Sequence, residues 1–97
     1  MDYYVWITYR RIRPGSREEF ESSWEPADFP DGLLRADAWY GDGDEEIVGV
    51  SFWESREACE RYRSSDVEAR RREAMASFIV EERSETYSGR ELEIPGR

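Results

Sequence analysis

Apolar and polar positions alternate with period two at the start of the chain. Over Tyr3–Arg13, Tyr3, Val5, Ile7 and Tyr9 fall on one face, and Tyr4, Trp6, Thr8, Arg10 and Ile12 on the other, as in a β-strand. Both faces carry large apolar groups, unlike a strand with one face in water. Helices of the same chain can cover one face, and a second copy is the economical cover for the other. The stretch Glu46–Asp66 is the most specific local signal. Ile47, Val48, Val50, Phe52 and Trp53 read as a buried strand. The pattern then turns at Ser55 into a helix, with Ala58, Cys59 and Tyr62 three and four residues apart.

Between these segments, Pro14-Gly15 predicts a turn and Ser16 with Glu19 a capping box, followed by Phe20 and Trp24 on one helix face. Glu25-Pro26 ends that helix, because proline lacks a donor and restricts the residue before it. Ala27–Gly32 reads as a loop and Leu33–Tyr40 as a second strand containing Arg35 and Asp37. Gly41-Asp42-Gly43-Asp44 reads as a hairpin turn; it lacks the length and bidentate ligand of a calcium loop. After Ser64-Ser65, Asp66 is expected to cap a further helical stretch containing Val67, Ala74, Met75 and Phe78. Arg70, Arg71 and Arg72 read as a solvated face, with Glu68 and Arg72 an i,i+4 pair. Thr86–Ile94 predicts a final strand, and Pro95-Gly96-Arg97 should fray. The order strand, helix, strand, strand, helix, strand predicts an α+β fold: a ferredoxin-like split βαβ unit with an antiparallel four-stranded sheet.

Ninety-seven residues make one domain, 1–97, with a core small enough that oligomerisation is expected. The formal net charge of −9 argues against nucleic acid and against anionic membrane surfaces as partners. All basic residues are Arg, and Lys, His, Asn and Gln are absent, which a GC-rich coding bias or adaptation to salt or heat explains. Without His there is no imidazole for general base work, for zinc or for proximal haem ligation. Cys59, the only cysteine, excludes an internal disulfide, and its helix-core spacing predicts a buried inert thiol. No signal peptide or long apolar run is seen, so a cytoplasmic location is expected, and the missing His with a single Cys leaves no cofactor expected.

Arg13-Pro14-Gly15 with Phe20, Gly32, Phe52-Trp53-Glu54-Ser55-Arg56-Glu57-Ala58, Tyr62 and Ser65-Asp66 resemble the antibiotic biosynthesis monooxygenase family of the dimeric α+β barrel superfamily. The resemblance runs from Tyr3 to about Ile94 and implies a homodimer with two sheets packed face to face. Members include cofactor-independent quinol oxygenases, haem-degrading oxygenases and proteins with no demonstrated chemistry. The haem-degrading branch uses an Asn, a Trp and an iron-ligating His. The matching positions here hold Thr8, Tyr62 and Arg72, so haem degradation is not implied. The quinol oxygenases bind a flat aromatic between sheet and helices, orient its phenol with Trp, Tyr, Asn and Arg, and let oxygen attack the carbanion form. That comparison makes Arg10 and Tyr62 the candidate catalytic residues, with Thr8, Trp6, Arg35, Trp39 and Trp53 as candidates for substrate binding. An Arg on the helix-facing side requires an anion, supplied by a ligand or by Asp37, Glu54 or another carboxylate of the chain.

The function this implies is a homodimeric small-molecule-binding protein, acting as a cofactor-independent monooxygenase on an aromatic polyketide-type quinol. The absent His and Asn favour an alternative, a non-catalytic dimeric module that binds a ligand or partner. A third reading is an isomerase or cyclase with Glu54 or Asp37 as base.

Overall fold

The computed structural model describes residues 2–24, 29–43 and 45–96. Its elements are β1 (Asp2–Ile12), α1 (Arg17–Trp24), β2 (Leu33–Tyr40), β3 (Glu46–Trp53), α2 (Arg56–Arg63), α3 (Asp66–Met75) and β4 (Ile79–Arg90), with a 3₁₀ turn over Ala76–Phe78. The sheet runs β2-β3-β1-β4 with every neighbouring pair antiparallel, which is the expected α+β ferredoxin-like arrangement. The expected helix stop at Glu25-Pro26, the Ala27–Asp28 part of the loop, Asp44 of the hairpin and the terminal Arg97 lie outside the described residues.

The ladder fixes the faces. Trp6 lies opposite Ser51, Thr8 opposite Gly49 and Arg10 opposite Ile47, all on the side under the helices. Val5, Ile7 and Tyr9 lie opposite Phe52, Val50 and Val48 on the other side. Apolar packing under the helices divides in two. Trp6, Trp53, Ala58 and Cys59 form one cluster, and Ile12, Phe20, Ile47 and Met75 the other. The backbone accommodates close packing at two glycines. Gly32 has φ +85° and a Cβ there would lie 2.5 Å from the Ala58 Cβ; at Gly49 a Cβ would lie 2.6 Å from Cζ2 of Trp24.

Two local expectations are corrected. The last strand begins at Ile79 and ends at Arg90, in place of Thr86–Ile94. Its first half, Glu81-Glu82-Arg83, lacks an apolar alternation because ion pairs replace it: Arg10 pairs with Glu82 and Arg11 with Glu81 across the β1–β4 ladder. An edge strand tolerates this polarity. The cap of α3 is Ser65, whose hydroxyl accepts from the Glu68 N–H, and Asp66 is the first helical residue. Ser55 caps α2 the same way, accepting from Ala58 N. Ser16 sits just before α1, and its hydroxyl donates to the Arg13 carbonyl.

Candidate functional site

Between the two apolar clusters, the helix-facing side of the sheet carries small or polar groups: Thr8 on β1, Gly49 and Ser51 on β3, Ala36 and Ala38 on β2. Bulky side chains would fill this space, and these do not. The result is a cavity of about 320 Å³ walled by Trp6, Trp24, Trp53 and Tyr62, with Arg10 and Arg71 also lining it. That volume is at the low end of the range that holds a small organic ligand, roughly 300–1,000 Å³.

The aromatic wall is ordered by contact. The Trp53 and Tyr62 rings lie 5.4 Å apart at 32°, and Trp6 and Tyr62 6.5 Å apart at 58°. Trp53 Nε1 donates to the Ser51 hydroxyl at 2.8 Å, which in turn donates to the Trp6 carbonyl at 3.2 Å. Trp24 reaches the cavity from α1, its ring set against Gly49.

Arg10 and Arg71 supply the charge. The Arg10 side chain is 1% exposed, and its Nε donates to Glu82 Oε2 at 2.7 Å. Burial pulls the guanidinium below its ordinary pKa, the Glu82 hydrogen bond opposes that, and Arg71 and Arg72 add repulsion. A guanidinium nonetheless stays protonated. The other Glu82 oxygen accepts from Arg72 Nη2 at 2.7 Å. Burial pushes Glu82 up, but the hydrogen bonds from Arg10 and Arg72 bring it below the usual carboxylate value. Arg71 Nε donates to Glu68 Oε2 at 2.9 Å and its Nη1 to the Trp24 carbonyl at 2.6 Å, tying α3 to the end of α1. Burial raises the pKa of the Tyr62 phenol; Arg71 acts against that and Glu68 with it. Burial likewise pushes the Cys59 thiol up to about 11. Among the described residues no group of three or more His, Cys, Asp or Glu could hold a metal.

Of the residues singled out in the sequence, Trp6, Thr8, Arg10, Trp53 and Tyr62 line this one cavity. Arg35 and Trp39 do not. Their register partners, Phe52 and Val48, put both on the opposite side of the sheet, where Arg35 pairs with Asp37 and Trp39 is 51% exposed. The ladder shifts between Leu33 and Arg35, which sets Arg35, Asp37 and Trp39 on that side. The carboxylate that meets Arg10 is Glu82, not Asp37 or Glu54. Asp37 is held by Arg35, and Glu54 is exposed outside the cavity. The arginine run is also corrected. Glu68 is 1% exposed and pairs with Arg71, three residues on, while Arg72 reaches Glu82. A buried Glu on α3 was hidden in the sequence by its charged neighbours, because α3 shows no clear apolar stripe. Trp24 and Arg71 were the functional wall residues missed; the small residues Gly49, Ser51, Ala36 and Ala38 on neighbouring strands were the available signal.

The comparisons with known proteins agree with this architecture. Residues 3–74 match the family model described as antibiotic biosynthesis monooxygenase, and the chain belongs to that family. No curated protein matches the chain in sequence. Among solved structures, a protein from Nitrosomonas europaea bearing the same family name has a TM-score of 0.79 at 19% identity, covering 90% of this chain and 89% of that one. SnoaB, a cofactor-independent oxygenase from Streptomyces nogalater, has a TM-score of 0.75 at 19% identity, with 100% of each chain covered. A protein of the same family name from Caulobacter crescentus gives 0.80 at 14% identity, covering 92% and 91%. At these identities the likeness is one of fold. Among the described residues no helix is long and apolar enough to cross a membrane.

Proposed function

We propose that the protein is a homodimeric small-molecule-binding member of its family, acting as a cofactor-independent monooxygenase on an aromatic polyketide-type quinol. The carrying observation is the cavity between sheet and helices, with Trp6, Trp24, Trp53 and Tyr62 around a buried guanidinium at Arg10. A flat ring stacks on such walls, and positive charge in a dry site stabilises the anion formed when a quinol loses its proton. In this reading Arg10 and Tyr62 meet the phenol oxygens, while Thr8, Trp6 and Trp53 position the ring. Arg35 and Trp39 are reassigned to the other side of the sheet, which is the dimer surface. The fold shared with SnoaB, itself a cofactor-independent oxygenase, supports the reaction class.

The test is oxygen uptake by the purified protein with a panel of reduced anthrols and naphthoquinols. A rate above the buffer blank, lost in Arg10→Ala and reduced in Tyr62→Phe, is expected. No uptake with any member, with wild type and variants alike, overturns turnover.

A non-catalytic binding module is the second reading. It is favoured by the pairing of the carboxylates near the cavity: Glu82 with Arg10 and Arg72, Glu68 with Arg71, Asp37 with Arg35. None of these stands free as a base. Thermal melts with the same compounds separate the two, since binding without turnover raises Tm and consumes no oxygen.

A further inference from the structure

Glu68 is a buried carboxylate that the proposed reaction leaves unused. Its side chain, on α3, is 2% exposed and does not line the cavity. Oε2 accepts from Arg71 Nε at 2.9 Å, while Oε1 is shut off from solvent and has no hydrogen-bond partner among the described residues. Taking a carboxylate and a guanidinium out of water is costly, and apolar groups of like volume often serve stability as well or better. What the pair supplies instead is a fixed position.

The group it fixes is Trp24. Arg71 Nη1 donates to the Trp24 carbonyl at 2.6 Å, so one rigid, planar guanidinium joins Glu68 to the last residue of α1. Glu68 is itself anchored where α2 meets α3: its N–H donates to the Ser65 hydroxyl, which donates to the Tyr62 carbonyl. The end of α1 is thereby tied to that junction.

Trp24 in turn narrows the cavity. Its ring stands on Gly49, at the Thr8–Gly49 rung of the β1–β3 ladder, and packs on Phe20, 5.6 Å away at 31°. Trp53, on the same side of β3, follows four residues later, roughly 13 Å along a strand. Less the thickness of the walls themselves, that span takes two fused rings lengthwise and not four. The cavity volume of about 320 Å³ agrees, being at the low end for a small organic ligand.

We propose that Glu68 is a positioning residue for specificity: through Arg71 it holds Trp24 over Gly49, and so limits the cavity to ligands of two fused rings. This rests on the reading that the cavity binds an aromatic molecule, and it adds the length that molecule can have and the group that sets it.

Tryptophan-quenching titrations with 2-naphthol and with 1-hydroxypyrene, flat phenols of two and four rings, read the limit. The wild type should bind 2-naphthol at least about tenfold more tightly, although the pyrene has more apolar surface to bury. In Glu68→Met with Arg71→Met, apolar groups of like volume replace the pair, and the bond to the Trp24 carbonyl is lost. That preference should disappear or reverse, while 2-naphthol still binds. Glu68→Gln gives a second check in an isosteric side chain. It keeps an acceptor for Arg71 Nε without the charge, and should reduce the preference severalfold. A wild type that binds both phenols equally overturns the length limit and leaves the aromatic site standing. Binding of neither overturns both. A preference unchanged in the two variants overturns the assignment to Glu68.

Discussion

Under the helices, β1 and β3 present Trp6, Thr8, Arg10, Gly49, Ser51 and Trp53; on the opposite side the same strands present Val5, Ile7, Tyr9, Val48, Val50 and Phe52. The first set mixes the largest residues with the smallest and includes buried polar groups. The second is uniformly apolar, with aromatic rings at its margins and no small residue to open a gap. Arg10 is buried against a carboxylate, whereas Arg83 lies over Tyr9 at 3.9 Å and Arg35 over Phe52 at 5.7 Å. Cations laid over exposed rings cover apolar surface while keeping their own charge in water. The difference teaches that apolar content alone does not mark a ligand site. Variation in side-chain size across neighbouring strands makes a cavity, and uniform size leaves a face without one.

Substitutions on the two sides should therefore fail differently. The largest effect is expected under the helices. Glu68→Ala leaves Arg71, 11% exposed, without its carboxylate, and should cost about 3–5 kcal/mol in urea unfolding. On the open side, Trp39→Arg should leave unfolding of the single chain nearly unchanged. It should instead weaken self-association by about thirtyfold or more, the scale of an interface hot spot, as read by sedimentation equilibrium. Loss of chain stability without a change in association would erase the distinction between the sides.

Gly49→Ala sharpens the comparison from within the cavity. Its Cβ would meet the Trp24 ring at 2.6 Å, so about 1–3 kcal/mol of stability should be lost through overpacking. Ligand-induced Tm shifts should shrink with it, because Trp24 must move into the space it now borders.

A pH effect comes next. Burial holds the Cys59 thiol up to about 11 against an ordinary value of 9.0, and the Tyr62 phenol is shifted in the same direction. The folded state thus keeps its protons to higher pH than the unfolded state. Stability from this source is intact below about pH 9 and falls as pH rises from there towards 11. Melting temperature should drop across that window, and Cys59→Ala should make the fall shallower. The smallest effect is at the surface: Arg56→Ala breaks the exposed pair with Glu60 and should leave the urea unfolding midpoint unchanged within error.

Strand order and the Trp53–Ser55 turn into α2 were legible because apolar periodicity is strong in β1 and β3, whose central positions in the sheet demand it. β4 was legible only in its second half, since ion pairs with β1 stand where an apolar alternation would be. The side of the sheet on which Arg10, Thr8 and Trp6 lie could be read from alternation within one strand. That of Arg35 and Trp39 could not, because a ladder shift in β2 precedes them. The buried Glu68–Arg71 pair was illegible for another reason. Charge normally signals exposure, and only a partner from another element, the Trp24 carbonyl, shows where Arg71 is anchored.

The most direct test of a sheet with two separate working sides uses its four tryptophans. Trp6, Trp24 and Trp53 line the cavity, and Trp39 is on the opposite side. In ¹⁹F NMR of protein labelled with 5-fluorotryptophan, addition of a naphthoquinol from the panel under nitrogen should move the three cavity resonances and leave Trp39 in place. Dilution through the dimer dissociation range should move Trp39 and leave the other three. A Trp39 line that follows the ligand while the cavity lines stay still would contradict the account.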